Sequence, residues 1–485
     1  MHLVTIGYIL GVLLMVFSTA ILPPLVMAWA YGDGALTAFA DAYLLTLGAG
    51  FLLWLTTRAV SREVSHRDGF LLVTLFWGVL AVFGALPLYF SGVAPGFSTA
   101  FFESMSGLTT TGSTALSGLD DMPHAVRFWR QEMQWLGGMG IIILAVAILP
   151  ILQIGGMQLY KAEVPGPVKD QKLTPRINET AKALWIIYVG LTVAAALALW
   201  LAGMTPFDAV SHSFTAVGTA GFSTHDASIG YFDNPAVEYI LTGVMFLGAV
   251  NFALHFAFLH GEGLRAYVAD PEFRTYAGLL TGLVAVVTVV LLAYQVYPSG
   301  EEAFRRAVFQ AVSIGTTTGF ATADYAAWPS LLPYMLLLSG FFMASAGSTG
   351  GGIKAVRFLV MLKQGYRQSY LLIHPHAVAP LKLRGRPVPE AVIQAVWGFF
   401  AVYVSTFVIL VMVMLALEDG DFLTAAGAVA ATLTNIGPGL GEVGPADSFA
   451  SISAPGKWVL ALAMLLGRLE LFTFFVLLMP AFWRK

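Results

Sequence analysis

The stretch "VSIGTTTGFAT", residues 312–322, decides how this chain is to be understood. It lies in strongly apolar surroundings, yet glycine and clustered threonine dominate it. Both are poor choices for a helix interior, glycine for its backbone entropy and threonine for its stiff branched side chain. A polar, non-helical strip therefore interrupts a sequence that otherwise suits lipid.

The composition makes the lipid setting explicit. Of 485 residues 58% are hydrophobic and 11% charged, with a mean hydropathy of +0.77. So few charges do not cover a soluble surface, and the chain reads as a polytopic membrane protein. Cysteine is absent, which excludes disulfides, thiolate metal sites and cysteine catalysis. The apolar run from Leu3 to Ala30 is too long for a signal-peptide core, and no Lys or Arg precedes it. It is expected to persist as a first helix.

With roughly 20 apolar residues needed per span, spans are expected near 3–30, 36–57, 69–92, 128–153, 181–203, 235–260, 275–297, 330–363, 390–417 and 455–482. One set of connections carries Arg58, Arg62 and Arg67, then Lys161, Lys169, Lys172, Arg176 and Lys182. It continues through Arg265 and Arg274 to Lys363, Arg367, Lys382, Arg384 and Arg386, and the tail adds Arg484 and Lys485. The alternate connections are poor in basic residues, so the positive-inside rule puts both termini in the cytoplasm.

The strip recurs. Four outer connections read "FSTAFFESMSGLTTTGST" from Phe97, "FDAVSHSFTAVGTAGFST" from Phe207, "FRRAVFQAVSIGTTTGFAT" from Phe304 and "FLTAAGAVAATLTNIGPGL" from Phe422. Each begins with Phe, runs through a short helical stretch and reaches Gly112, Gly221, Gly319 or Gly437. The separation is the same from Phe97 to Gly112, from Phe304 to Gly319 and from Phe422 to Gly437, and slightly shorter from Phe207 to Gly221. Matched spacing at matched topological positions is an internal repeat. Two spans per unit give all four units one orientation, and parallel repeats surround an axis along the membrane normal. The expected fold is an all-α membrane protein: ten transmembrane helices, with four parallel helix–re-entrant half-helix–helix repeats around one pore. Residues 1–68 form two extra helices, and the repeats occupy 69–154, 155–262, 263–387 (with a broken second helix) and 388–485.

Non-helical backbone at membrane depth is tolerated where protein buries it or where it lines a water-filled path. Strips beside an axis can aim main-chain carbonyls inward, replacing the hydration shell of a cation. The candidate coordinating residues are Thr110, Thr111 and Gly112; Thr219, Ala220 and Gly221; Thr317, Thr318 and Gly319; and Asn435, Ile436 and Gly437. No carboxylate ring lies within the strips, which argues against a side-chain filter.

These four segments resemble the pore loops of the Trk/Ktr/HKT superfamily of potassium transporters. The likeness covers about residues 69–482, and the two extra N-terminal segments point to its bacterial TrkH branch. It implies a K+ pore in each subunit, a homodimer in the bacterial inner membrane, and a cytosolic nucleotide-binding regulator of the TrkA type. No cofactor is implied for the chain itself beyond K+ ions in the filter. Members with glycine at all four filter positions are generally potassium-selective, and here all four are Gly. The departures are Ala220, the Asn435-Ile436 pair and Pro438, so the filter is not four-fold equivalent. A sodium-selective or ion-coupled symporter of the same superfamily is the alternative.

Two features fall inside the expected spans. "ASAGSTGGGIK", residues 344–354, cannot sustain a regular helix cheaply, and lacks the spacing of a phosphate-binding loop. Gly347, Gly350, Gly351 and Gly352 are expected to break the eighth span into a flexible loop below the strips; the resemblance makes this an intramembrane gate. Arg468, near the middle of the last span, is costly there and is expected to face a cavity or partner. Pairing with Glu470 is disfavoured, because next-but-one neighbours on a helix point to different faces. The resemblance places this arginine toward the pore beside the gate. An intramembrane hydrolase would need a nucleophile and base together, and nothing in the spacing of Ser106 and His212 supports one.

Overall fold

The structure, a computed structural model, describes residues 2–58, 65–143, 174–329, 331–383, 385–418 and 421–484. Arg62, Lys161, Lys169, Lys172, Arg384 and Lys485, the end of the fourth expected span from residue 144, and the 154/155 boundary lie outside the described residues. The rest is almost wholly helical, with one two-stranded hairpin pairing Lys382–Leu383 with Arg386–Pro387.

Among the described residues six helices are long and apolar enough to cross a membrane: Leu3–Tyr31, Leu36–Thr57, Arg67–Phe90, Ala181–Leu201, Pro271–Ala293 and Glu390–Leu417. Two further expected spans, 235–260 and 455–482, are bent pairs. Pro235–Gly248 meets Phe252–Glu262 at 97°, and Ala454–Arg468 meets Phe472–Leu478 at 113°. The first bend is set by Asn251, whose side chain caps the second piece by accepting from Ala253 N. At the second bend Glu470 and Leu471 adopt positive φ (54° and 55°). The eighth expected span is also divided, into Leu332–Phe342 and Ala355–Ile373, with residues 343–354 between them as a loop.

The four short helices are Phe97–Leu108, Pro206–Val217, Gly300–Gly315 and Phe422–Leu433. Two begin at the expected Phe. The second starts just before it, because Thr205 accepts from Asp208 N and Pro206 suits the first turn. The third starts a full turn earlier, where Ser299 accepts from Glu302 N. Capping chemistry, not the aromatic marker, sets these starts.

At the N-terminus the first helix crosses Leu36–Thr57 through glycine. A β-carbon on Gly50 would stand 2.9 Å from the Gly11 carbonyl oxygen, so the backbones meet directly. Small residues permit such crossings in lipid.

Candidate functional site

Each strip carries the same backbone signature. Thr110, Thr219, Thr317 and Asn435 have φ of 51°, 46°, 60° and 55°, and the next-but-one residues Gly112, Gly221, Gly319 and Gly437 have 85°, 80°, 88° and 107°. The residue between keeps negative φ in every strip. Such alternation turns successive peptide planes the same way and stacks their carbonyls along one side. A β-branched residue at positive φ is a real outlier, costing about 1–3 kcal/mol, and such strain gathers at functional sites.

The strips close into a ring in chain order. A β-carbon on Gly112 would stand 2.1 Å from the Ala220 carbonyl oxygen, on Gly221 2.0 Å from that of Thr318, and on Gly319 2.1 Å from that of Ile436. From Gly437 the nearest atom is the Thr111 carbonyl oxygen at 3.1 Å, which returns to the first strip. Side chains reinforce this last, looser joint. Ser113 Oγ donates to the Gly437 carbonyl (2.7 Å), and Asn435 Nδ2 donates to Thr111 Oγ1 (2.8 Å) and the Met464 carbonyl (3.0 Å). All four glycines line one vestibule of about 430 Å³.

A second, smaller cavity, of about 40 Å³, lies at the loop between the two halves of the eighth expected span. Gly347, Gly350, Gly351, Gly352 and Arg468 all line it. The loop is fastened at both ends and in the middle. Ser345 N donates to the Ala249 carbonyl (3.1 Å), Phe252 N to that of Gly347 (3.1 Å), and Ala355 N to that of Ala344 (2.9 Å). Thr349 Oγ1 lies 2.9 Å from Thr219 Oγ1 in the second strip, and Gly351 N donates to Thr317 Oγ1 (2.6 Å) in the third. A β-carbon on Gly351 would stand 2.1 Å from the Thr434 carbonyl oxygen beside the fourth. Arg468 Nη2 donates to the Thr349 carbonyl (2.8 Å), whereas Glu470 pairs with Arg357. The two charges thus take separate partners, because the helix ends between them.

Every expected strip and loop residue therefore falls at this ring or directly beneath it. The hydrolase pairing does not form: His212 lies 2.9 Å from Ser223 Oγ and 2.8 Å from the Asp208 carbonyl, with no bond to Ser106 among the described residues. Sequence reasoning missed several participants. Arg130, fully buried, donates to Glu103 (2.8 Å), the Ser223 carbonyl (3.0 Å) and Thr114 Oγ1 (3.2 Å), joining the first short helix to two strips. Lys354 reaches back to the Gly350 carbonyl from a residue at φ 80°. Beyond the second strip, His225 pairs with Asp120, sits 3.4 Å from Asp208 and stacks on Tyr231 at 3.5 Å. Burial lowers its pKa, but the bonds and charges of Asp208 and Asp120 outweigh that and raise it above 6.5.

A multi-pass helical membrane protein with four strips closed around one axis is the architecture of a transporter, not an enzyme. A family model described as TrkH, cation transport protein, matches residues 35–485. The chain is 51% identical over 487 residues to the Trk system potassium uptake protein TrkH of Escherichia coli K12, covering 100% of both. It is 37% identical to TrkG of the same strain, over 100% of this chain and 99% of that one. The crystal structure of the potassium transporter TrkH from Vibrio parahaemolyticus matches with a TM-score of 0.93 at 48% identity, over 100% of both chains. The chain belongs to the TrkH family of cation transport proteins.

Proposed function

We propose that this chain is the ion-conducting subunit of a bacterial Trk system, passing K+ across the inner membrane through a filter of main-chain carbonyls. The observation that carries this reading is the closed ring, with a left-handed residue two positions before a left-handed glycine in each strip. Stacked carbonyls on an axis substitute for the water around a potassium ion. The filter comprises residues 110–112, 219–221, 317–319 and 435–437. The loop 344–354 and Arg468 form the gate, since a fixed positive charge beside a narrow cavity opposes a cation in low-dielectric surroundings.

Ten spans follow when each bent pair, the divided eighth segment and the helix His124–Ile143 are counted with the six long helices. Both termini then face the cytoplasm with the basic connections. The chain works as a homodimer, and a cytosolic nucleotide-binding subunit of the TrkA type controls its gate; the words "Trk system" in the names of its relatives support a partner subunit. Planar-bilayer recording with K+ on one side and Na+ on the other tests the reading. A reversal potential near that of K+ is expected, shifted toward zero in Gly319→Ser. A Na+ preference, or no shift in the variant, overturns it.

A further inference from the structure

Gln134 stands apart among four equivalent positions. On each helix following a strip, one glycine lies against the backbone at the end of the preceding short helix. A β-carbon on Gly137 would stand 2.0 Å from the Leu108 carbonyl oxygen, on Gly248 3.0 Å from that of Val217, on Gly340 3.0 Å from that of Ile314, and on Gly467 2.1 Å from that of Leu433. These contacts bring the four helices into register. Just under one turn before each glycine stand Gln134, Met245, Leu337 and Met464. Repeat one alone places an amide there.

That amide is fully buried and grips the second strip on both sides of Gly221. Its Nε2 donates to the Ala220 carbonyl (2.6 Å), and its Oε1 accepts from Phe222 N (3.0 Å). The second strip cannot brace itself in the manner of the first and third, and neither can the fourth, which pairs Thr434 with the apolar Ile436 and is held instead through the Asn435 side chain. In the first and third strips, Thr109 and Thr111 pair their hydroxyls at 2.8 Å, and Thr316 and Thr318 pair theirs at 2.7 Å. The matching residues of the second strip are Gly218 and Ala220, which have no hydroxyl.

We propose that Gln134 is a positioning residue for ion selection, replacing from the neighbouring helix the threonine pair that the second strip lacks. A carbonyl oxygen has two lone pairs, so that of Ala220 can accept from Gln134 and still present the other to the axis. Fixing its direction holds the second quadrant of the ring in line with the others. This inference rests on the reading of the strips as a filter.

The test compares K+/Na+ permeability ratios, taken from bilayer reversal potentials, for the parent, Gln134→Leu, Gln134→Met and Gln134→Glu, with Gly319→Ser alongside. Leu and Met are the residues the other repeats carry, and each lowers the ratio several-fold. A protonated Glu both donates and accepts as the amide does, whereas an ionised one has no proton to give Ala220. The Glu variant therefore keeps a parent-like ratio at acid pH and loses it as pH rises, a dependence absent from the parent and from Leu. Should Leu fold poorly by size-exclusion chromatography, Met and the pH course of Glu decide the matter. Reduced flux with an unchanged ratio at every pH overturns the role of Gln134. If Gly319→Ser shifts the ratio in that experiment the filter reading stands; if nothing shifts, both fall.

Discussion

Replacing the four ring glycines by alanine, one at a time, should give unequal losses. A backbone cost falls on all four: an L-residue forced into left-handed geometry loses at least about 1–2 kcal/mol, and the four φ values run from 80° to 107°. The steric cost is not common. At Gly112 and Gly319 the new methyl would stand 2.1 Å from a neighbouring carbonyl oxygen, and at Gly221 2.0 Å, far inside the 3.4 Å at which ordinary contact begins. At Gly437 the nearest oxygen is 3.1 Å away, only slightly tighter than ordinary contact. The first three methyls must push a carbonyl of the next strip out of line, whereas the fourth asks for little. Rubidium uptake into vesicles at equal protein content should fall at least tenfold, about 1.4 kcal/mol, for Gly112→Ala, Gly221→Ala and Gly319→Ala. Gly437→Ala should stay within a few-fold of the parent. Equal losses at all four positions, or parent-like uptake in Gly319→Ala with normal dispersity, would refute the ring geometry.

Deleting part of 347–352, or making Arg468→Ala, should raise basal rubidium flux, because each removes one side of the Arg468–Thr349 contact; flux at or below the parent in both rejects the gate. Glu103→Gln leaves the buried Arg130 charge uncompensated and should cost about 3–5 kcal/mol, seen as a large drop in thermal midpoint; an unchanged midpoint contradicts the strut. His225 has a folded pKa above its unfolded value, so its stabilisation is complete below about pH 6.5 and is lost as pH rises through the raised value. Thermal midpoints measured across that window should decline in the parent and flatten in His225→Gln. A TrkA-like subunit should co-purify with the chain and make its open probability respond to nucleotide; gating indifferent to that subunit in reconstituted membranes rejects the partnership.

The strips were legible because their chemistry breaks the local rule. Gly112, Gly221, Gly319 and Gly437 recur at near-constant distance from Phe in a background of helix formers, and the glycine-rich run at 347–352 stands out against that background in the same way. The bends were not legible. Ala249-Val250-Asn251 and Leu469-Glu470-Leu471 contain neither proline nor glycine, and a single polar residue in each, Asn251 or Glu470, sits within a long apolar run. Tertiary bonds hold those breaks, from Ser345 to Ala249 and from Phe252 to Gly347 beside the Asn251 cap, and from Arg357 to Glu470. The left-handed threonines were equally hidden, since nothing about Thr110 or Thr317 announces a conformation that threonine avoids. Gly137, Gly248, Gly340 and Gly467 were hidden as well, because their distance from the strip glycines differs in every repeat and their neighbours give no hint of what they touch.

Because all four quadrants of the ring lie on one polypeptide, a single codon change alters one quarter of the circle and leaves three as they were. An assembly of four identical chains must accept each substitution four times over, which restricts it to changes that every quadrant tolerates together. Here Ala220, Ile436 and Pro438 each stand in one quadrant without counterparts in the others. The gene can thus explore lopsided rings in small steps, with each quadrant free to change while its neighbours keep their places in the circle.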